Sequence, residues 1–500
     1  MQTKPVFYLP PFFADGMVLQ AEQRIRLWGR YPTDGELTVR ITDADGRERY
    51  FSGCIVAGRF EVWLESYPYG GPYTIELMAE TGDTYTIQDV LFGDVFLFGG
   101  QSNMALWIKD CHIDSMDKLL FQADVECSAN TNIRSFTVYP FDAEMPQKEL
   151  NEHPLQVWQS ASPETVPTFA AVPYFFSREI HRQYGRPVGM IVASVGATAV
   201  QCWIPPEELK QFGVPMEILG QIAEREPVNY IPSRYYNGMI APLAGLAFQG
   251  LLWYQGEGNM AGLNSAKEVV YAGYHKYGDY LKAVIDGWRR TLESPELPVA
   301  IVQLPRFVDE GAYFWAREED KRVCSLVENA TYSVNIDAGL YPENVVPGDP
   351  INEGHGIHPY DKDITGTRLA RTFMGHFWNE SGIHVGPRVR SVELVERQVL
   401  VRLDCVGAGL CLDGELAGFE LADPSGVFHA AVPTLVDAES VLVKTEGLLN
   451  PIAVRYGFTN KSPLITKPLL SCRQSVCVYN TITDGGEPWL PAEQFWISLY

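Results

Sequence analysis

The sequence has few basic residues for its length. Its 500 residues include 39 Lys and Arg against 62 Asp and Glu, a formal net charge of −23 at pH 7. Nucleic acids and anionic membrane surfaces are bound mainly by clustered Lys and Arg side chains, which neutralise phosphate groups. We therefore expect neither nucleic acid nor membrane as a partner, and the sequence leaves the oligomeric state open.

The nine cysteines include no Cys-x-x-Cys pair and no Cys/His spacing typical of a zinc site. We therefore expect no metal and no cofactor. An odd number of cysteines spread along the chain fits reduced, buried thiols better than a disulfide framework. The first residues also lack the apolar core of a signal peptide. Both features favour a cytoplasmic protein, unless a signal peptide has been removed from a secreted one.

Long apolar runs are also missing, since no stretch of about 18 apolar residues occurs anywhere in the chain. Aromatic residues are plentiful in contrast, at 12% of the chain with 11 Trp. Aromatic faces pack against sugar rings, so this content mildly favours carbohydrate recognition. Large cores and β-domains account for it equally well.

The length predicts two or three domains, because one core stops growing well below 500 residues. Short alternating runs such as Phe60–Leu64 (FEVWL) predict a sandwich-like β-domain over residues 1–90. The same texture returns over residues 386–500 and predicts a C-terminal β-domain. Residues 91–385 form the predicted central domain. No Gly/Ser-rich or Pro-rich tether marks either boundary, so we expect the β-domains to dock on the central one.

The central region alternates buried strands with helices, which predicts a three-layer α/β domain with a parallel sheet. In such sheets ligands bind at the carboxyl ends of the strands. The predicted strands are Asp89–Phe98, Val188–Ser194, Gly250–Tyr254, Val299–Leu304 and Tyr332–Asp337, and the predicted helices are Tyr174–Tyr184, Tyr271–Leu292 and Asp361–Trp378.

The stretch Leu97–Met104 (LFGGQSNM) is the first candidate site. An apolar strand ends there in Gly99 and Gly100, and a single hydroxyl, Ser102, follows at the strand's carboxyl end. An isolated motif of this kind is usually an ordinary strand-to-helix turn, so Ser102 needs partners to act as a nucleophile.

Three other strand-end loops offer such partners. His358, stiffened by Pro359 just before a helix, is the candidate general base. Gly196 can present a backbone N–H close to a ligand, and Gln255 carries a side-chain amide. Both are candidate donors to the oxygen that becomes negative when a serine attacks its substrate.

These residues resemble the sialate O-acetylesterase-like carbohydrate esterases of the SGNH hydrolase superfamily. The resemblance implies a flavodoxin-like SGNH domain with flanking β-domains, Ser102 as nucleophile, His358 as base, and the amides of Ser102 and Gly196 with Gln255 around the oxyanion. It spans nearly the whole chain, in Phe13–Gln20, Trp28–Gly29, Gly93–Val95, Gly100–Met104, Tyr236–Leu243, Trp253–Glu257, Ile357–Pro359, Val454–Phe458 and Leu490–Ala492.

The carboxylate that orients His358 is less clear from the sequence. Such enzymes often carry Asp two or three residues before the histidine, where this chain has Gly356 and His355. Glu353 is the first candidate, with Glu257 close behind and Asp349 next; a dyad without an acid is the remaining option. Glu257 is equally well interpreted as a structural carboxylate in its loop. Gly258 also replaces the usual serine of Gln-Gly-Glu-Ser and is expected to widen the pocket.

The sequence therefore predicts a serine esterase that removes O-acetyl groups from a sugar, which is the expected partner. A glycosidase using two carboxylates, for instance Glu257 and Asp349, is one alternative. A non-catalytic carbohydrate-binding protein is another, although both Ser102 and His358 are present. The choice among sialic acid, xylan, mannan and other glycans depends on the lining loops and is left open.

Overall fold

The chain folds into two units. The structure, a computed structural model, describes residues 7–111, 122, 125–213, 228–260, 276–307, 313–339, 348, 356–382, 384–412, 418–458, 478–480 and 490–500. The first unit comprises Met1–Ile108, Gln122–Trp253 and Tyr280–Val299, and the second comprises Lys109–Phe121, Tyr254–Asp279 and Ala300–Tyr500. Ser102 and Gly196 belong to the first unit, whereas Gln255, Glu257 and His358 belong to the second.

The strands of the described residues are numbered along the chain. They are β1 (Val18–Gln20), β2 (Ile25–Arg30), β3 (Gly35–Thr42), β4 (Glu48–Val56), β5 (Arg59–Leu64), β6 (Gly70–Ala79), β7 (Thr84–Gly100), β8 (Asn130–Thr137), β9 (Gln159–Ala161), β10 (Val188–Ser194), β11 (Gly250–Tyr254), β12 (Val299–Val302), β13 (Ala330–Ser333), β14 (Arg388–Val395), β15 (Gln398–Asp404), β16 (Leu410–Leu412), β17 (Phe419–Ala422), β18 (Phe428–Ala430), β19 (Val432–Leu435), β20 (Ser440–Lys444), β21 (Ala453–Tyr456), β22 (Val478–Asn480) and β23 (Phe495–Ser498).

The α-helices of the described residues are numbered in the same way. They are α1 (Ser102–Ala105), α2 (Ile108–Cys111), α3 (Ala171–Tyr184), α4 (Pro206–Leu209), α5 (Glu257–Met260), α6 (Tyr277–Thr291), α7 (Tyr313–Leu326) and α8 (Lys362–Phe377). Short 3₁₀ helices lie at Val166–Thr168, Val200–Trp203, Lys210–Phe212, Val228–Tyr230 and Ala241–Leu243, and a π-helical turn lies at Tyr236–Ile240.

The N-terminal strands carry side chains that alternate between core and solvent. In β5, Phe60, Val62 and Leu64 are buried and the residues between them are exposed, the period of two expected of a strand with one solvated face. The strands lie side by side in the order β2-β5-β4-β3-β6-β7. The predicted N-terminal strands are therefore present, and through β6 they share a sheet with β7.

β7 is a long strand of the first unit and pairs with several other strands. The predicted strand at Asp89–Phe98 lies within this 17-residue element, in which every residue from Val90 to Gly100 is buried. It pairs in parallel with β1 and β10 and antiparallel with β6. The sheet is therefore mixed where the sequence predicted a parallel one, because β6 meanders directly into β7. The α/β fold class itself is confirmed.

Helix α3 ends where the sequence predicts. Gly185 follows it with φ +67°, the left-handed conformation that glycine adopts most easily. Its N–H donates to the His181 carbonyl at 2.7 Å. The helix is thereby closed just before β10, the strand that leads to Gly196.

In the second unit, β12 and β13 are neighbouring strands, and the Gln303 N–H donates to the Ser333 carbonyl at 3.0 Å. The predicted extension of β13 to Asp337 is wrong, because the strand ends at Ser333. The polar residues that follow bond to α8 instead. Asn335 Nδ2 donates to Thr365 Oγ1 at 3.1 Å, and Arg368 donates to both carboxylate oxygens of Asp337 at 2.6 and 2.9 Å.

Two further predicted helices are present in the structure. Helix α8 begins at Lys362 and ends at Phe377, within one residue of the predicted Asp361–Trp378 at each end. The helix predicted over Tyr271–Leu292 is present as α6 from Tyr277 to Thr291. Residues 271–275 of that prediction lie outside the described residues.

The C-terminal residues form further β-sheets, in the orders β14-β15-β20-β19, β16-β22 and β18-β17-β21-β23. Strands β15 and β20 lie in the region for which the sequence predicts short strands, and they pair antiparallel. The C-terminal β-structure is thus confirmed, while the domain boundaries near residues 90 and 386 stay predictions. The hydrophobic core of these C-terminal sheets includes Val399, Val401, Leu403, Phe419, Leu421, Val441, Val443, Val454 and Tyr456.

Six cysteines of the described residues are free thiols, namely Cys54, Cys111, Cys127, Cys202, Cys324 and Cys405. Cys54, Cys127 and Cys405 are exposed, so the expectation of buried thiols is wrong for these three. No described helix is long and apolar enough to cross a membrane. No three His, Cys, Asp or Glu side chains of the described residues are grouped as a metal ion would require.

Candidate active site

The Ser102 turn is shaped by the two glycines before it. A Cβ atom on Gly99 would lie 2.8 Å from Cη2 of the buried Trp288, so only glycine fits there. Gly100 has φ +140°, which glycine adopts without strain. Gln101 is extended and buried, and the half-buried Ser102 is the first residue of α1. Ser102 therefore stands at the carboxyl end of the buried strand β7.

Gly196 lies beside Ser102. In the parallel pairing of β10 with β7, Ser194 is opposite Gly100, and the Val195 N–H donates to the Gly100 carbonyl at 3.1 Å. An ideal Cβ on Gly196 would lie 3.5 Å from Ser102 Cβ. The structure thus brings together two of the residues singled out in the sequence.

Asn229 fixes the Gly196 turn, and the sequence did not single it out. Its Nδ2 donates to the Gly196 carbonyl at 3.2 Å, and its Oδ1 accepts from the Tyr235 hydroxyl at 2.7 Å. Its backbone carbonyl accepts the Ala199 N–H at 3.0 Å. Ala197, the residue after Gly196, has φ +59°, which is a strained conformation for alanine. No motif surrounds Asn229, so only the folded chain shows its role.

Gln255 lies in the second unit, in a tight turn after β11. Its side chain is 1% exposed, its Nε2 donates to Asn259 Oδ1 at 2.9 Å, and its carbonyl accepts the Tyr277 hydroxyl at 2.6 Å. Gly256 has φ +148°, and a Cβ there would lie 3.0 Å from Leu304 Cδ1. The Gln255 amide is therefore held in place by its own turn and by α6.

Glu257 is buried among other charged groups of the second unit. Glu257 and Asp320 are each 1% exposed. Burial raises the pKa of the Asp320 carboxyl well above its usual range; the charges of Glu319 and Glu257 raise it further, and Arg317 opposes them. Two buried carboxyl groups thus face each other behind the Gln255 turn, in line with the interpretation of Glu257 as a structural carboxylate.

Lys362 lies in the same buried cluster as Glu257 and Asp320, and the sequence did not single it out as a site residue. It is 0% exposed, and its Nζ lies 5.6 Å from the centroid of the Tyr254 ring. Burial lowers the pKa of its ammonium group to about 8, while Cys111, Glu257 and Asp361 act in the opposite direction. The charged run Asp361–Asp363 indicates a solvated helix start, so nothing in the sequence signals this burial.

His358 is half-buried and precedes the buried residues Pro359 and Tyr360. The Tyr360 carbonyl accepts the Lys362 N–H at 2.7 Å, which connects the histidine segment directly to the start of α8. Gly356 has φ +71°, so the segment turns sharply before the histidine. Glu353, His355 and Asp349 lie outside the described residues, and the assignment of Glu353 stays a prediction.

The chain is similar to known carbohydrate esterases. Residues 92–339 match the family model described as carbohydrate esterase, sialic acid-specific acetylesterase. Sialate O-acetylesterase of Homo sapiens is 26% identical over 428 residues, covering 79% of this chain and 76% of that protein. The Rattus norvegicus protein of the same name is 26% identical over 459 residues, covering 79% and 78%. A solved carbohydrate acetylesterase from Xanthomonas citri superposes with a TM-score of 0.77 and 25% identity, over 99% of this chain and 100% of that chain.

These matches show a carbohydrate esterase, an enzyme that hydrolyses carboxylic esters. Within that class, residues 92–339 match the sialic acid-specific acetylesterase family, so the resemblance seen in the sequence is confirmed. The matched segment contains Ser102, Gly196, Gln255 and Glu257, whereas His358 lies beyond its end.

Proposed function

We propose that this esterase releases acetate from O-acetylated sugars through an acyl-enzyme intermediate on Ser102, with His358 as the general base. The observation that carries the proposal is the position of Ser102. It is the second residue after a buried strand that ends in Gly99 and Gly100, and a Cβ atom on Gly196 would lie 3.5 Å from the Ser102 Cβ. A hydroxyl held in this way adds little to packing, so a chemical role accounts for it better than a structural one.

The reaction proceeds in two halves. The Ser102 Oγ attacks the acetyl carbonyl carbon while His358 takes the hydroxyl proton, and the proton then passes to the departing sugar oxygen as the ester bond breaks. Water next attacks the acetyl-serine ester and gives one proton to His358, which returns it to Ser102 as acetic acid leaves. The acid then gives its remaining proton to the solvent and becomes acetate. Atoms and charges balance without a metal or a cofactor.

The negative oxygen of each tetrahedral intermediate needs fixed donors. We assign these to the backbone amides of Ser102 and Gly196 and to the side-chain amide of Gln255. The Thr198 Oγ1 donates to the Val195 carbonyl at 2.9 Å, which fixes the peptide that carries the Gly196 N–H, and Asn229 bonds the carbonyl of the next peptide. The Gln255 Nε2 donates to Asn259 Oδ1, which orients the side-chain amide, and the Tyr277 hydroxyl donates to the Gln255 backbone carbonyl, which holds the main chain of the turn.

We assign the carboxylate that orients His358 to Glu353. The alternative, Glu257, lies among Lys362, Asp320 and Tyr254, where its charge faces a buried ammonium group. A carboxylate committed to such a cluster is poorly placed to serve an imidazole as well. The position of Glu257 among these buried groups supports a structural role for its carboxylate.

O-acetylated sialic acid is the first substrate we propose, because the curated relatives are named sialate O-acetylesterases. The test offers the full-length protein O-acetylated sialic acid, acetylated xylan and acetylated mannan in parallel, and measures free acetate and new reducing ends. We expect acetate without reducing ends, with the highest kcat/KM on the sialic acid.

The other outcomes of this test separate the competing functions. Reducing ends that still form with Ser102→Ala would show a glycosidase. Glycan binding without any acetate release would show a binding protein. A preference for xylan or mannan would overturn the substrate assignment alone.

A further inference from the structure

Lys362 is fully buried, which is rare for lysine. It is the first residue of α8, four positions after His358. Its Nζ lies 5.6 Å from the centroid of the Tyr254 ring, the last residue of β11. The fold thus places a cation directly against the start of the Gln255 turn.

The charged and titratable groups that face this ammonium come from three further places. They are Glu257 on α5, Cys111 on α2 and Asp361 just before α8. All three are buried, and Asp320 on α7 lies next to Glu257. A buried ammonium and a buried carboxylate are each costly alone, so the two compensate each other and neither can be removed without cost.

Lys362 therefore interacts with the residues on both sides of Gln255. The Tyr254 ring precedes Gln255 and Glu257 follows it, with only Gly256 in between. Gly256 has the positive φ of +148°, so the turn has a shape that most residues resist. The shape of the turn depends on the contacts of Tyr254 and Glu257, the residues at its two ends. The Lys362 ammonium lies over the Tyr254 ring and interacts with the charge of Glu257.

We propose that Lys362 is a positioning residue of the esterase: its ammonium group holds the Tyr254–Glu257 turn, and with it the Gln255 amide, in the shape that the reaction needs. This inference rests on the proposed role of Gln255 as an oxyanion donor. Lys362 touches neither substrate nor reacting atoms in this account, and it acts only through the turn.

A pH dependence follows from the burial of Lys362. Because burial lowers the pKa of the ammonium to about 8, the charge is lost in mildly alkaline solution and activity falls there. The ordinary pKa of a lysine side chain is 10.5, so between about pH 8 and pH 10.5 the unfolded chain binds more protons than the folded one. The contribution of Lys362 to stability therefore rises with pH in this range, and the loss of activity is not a loss of fold.

The test compares Lys362→Met and Lys362→Arg with the wild-type chain, using 4-nitrophenyl acetate corrected for spontaneous hydrolysis. Arginine stays charged across the whole range. Lys282→Met, which removes a half-exposed lysine paired with Asp286 on α6, is the matched control. We measure kcat and KM from pH 6 to 10 and the melting temperature at each pH.

We expect Lys362→Met to lower kcat about tenfold or more at pH 7.5 with little change in KM, as loss of a transition-state donor does. Lys362→Arg should move the alkaline limb upward by at least about one pH unit. Lys282→Met should match wild type throughout.

Three results would overturn the inference alone: a kcat for Lys362→Met within about threefold of wild type, an unchanged alkaline limb in Lys362→Arg, or a flat wild-type profile from pH 7 to 10. If neither variant folds, the wild-type profile decides. A wild-type chain that releases no acetate would overturn the proposed function, and this inference with it.

Discussion

Arg317 on α7 donates from Nε to Oε1 of Gln494 at 2.9 Å, and both side chains are fully buried. Its Nη2 also donates to the Gly457 carbonyl at 2.9 Å, and its Nη1 reaches the Leu304 and Pro305 carbonyls. One guanidinium thus ties a helix of the predicted central domain to two segments of the predicted C-terminal domain. The sequence contains no flexible tether before the predicted C-terminal domain, and we therefore expect that domain to dock on the central one. Within the second unit, the bonds of Arg317 are contacts that join the two.

We predict that Arg317→Met lowers the free energy of unfolding by about 3 kcal/mol or more, because it leaves buried carbonyls without their charged donor. Urea unfolding followed by tryptophan fluorescence measures this. The control is Arg402→Met, which breaks a surface pair with Glu393 and should cost less than about 1 kcal/mol. Equal losses in the free energy of unfolding for the two variants would show that Arg317 contributes no more to stability than a surface ion pair does.

The two glycines around Ser102 should respond differently to alanine. Gly99→Ala forces a Cβ to 2.8 Å from Trp288, and we expect it to cost about 1 to 3 kcal/mol of stability by overpacking. Gly196→Ala places its Cβ at an ordinary contact distance of 3.5 Å from Ser102, so stability should hold while Gly196→Val, with two more methyl groups beside Ser102, lowers kcat/KM. Thermal melts and esterase kinetics on the three variants check this. A stable, fully active Gly196→Val would contradict the placement of Gly196 beside the nucleophile.

These glycines also show what the sequence can predict. The apolar run into Gly99 and Gly100, and the parallel strand before Gly196, follow from local periodicity and from the rule that parallel strands end at one edge. Asn229 and Lys362 could not be found in this way. Asn229 reaches Gly196 across 33 residues, and the charged neighbours of Lys362 indicate solvent although its side chain is buried. Burial of a polar side chain is decided by tertiary packing, which local patterns do not record.

The same limit applies to Asp94, a fully buried carboxyl on β7 that accepts from the Tyr69 hydroxyl at 2.9 Å. Burial raises its pKa from 3.8 to about 6, against the opposing effects of Tyr69 and Arg186. The folded chain therefore binds more protons than the unfolded one between these values. The contribution of Asp94 to stability is greatest below about pH 4 and is lost as the pH rises through about 6.

We predict that Asp94→Asn removes this dependence. Its stability relative to wild type should rise by about 2 to 3 kcal/mol between pH 4 and pH 7. Urea unfolding of both proteins at a series of pH values measures the difference. A difference that stays constant with pH would show that the Asp94 carboxyl has an ordinary pKa.

The proposed base predicts the acid side of the activity profile. Protonated imidazole cannot accept the Ser102 proton, so kcat/KM should fall as the pH drops from roughly 8 to 5. His358→Ala should lose most activity, while His376→Ala on α8 should keep both activity and profile. A wild-type profile that is flat from pH 5 to 8 would argue against His358 as the base.

The most direct test of the account is acetate release by Ser102→Ala. The matched control is Ser194→Ala, at the end of the neighbouring strand, whose buried Oγ has no hydrogen-bond partner among the described residues. With equal melting temperatures, we expect Ser194→Ala to match wild type and Ser102→Ala to lose activity by a factor of order 10⁴ or more on O-acetylated sialic acid and on 4-nitrophenyl acetate. Retention of more than a few per cent of wild-type turnover by Ser102→Ala would contradict Ser102 as the nucleophile.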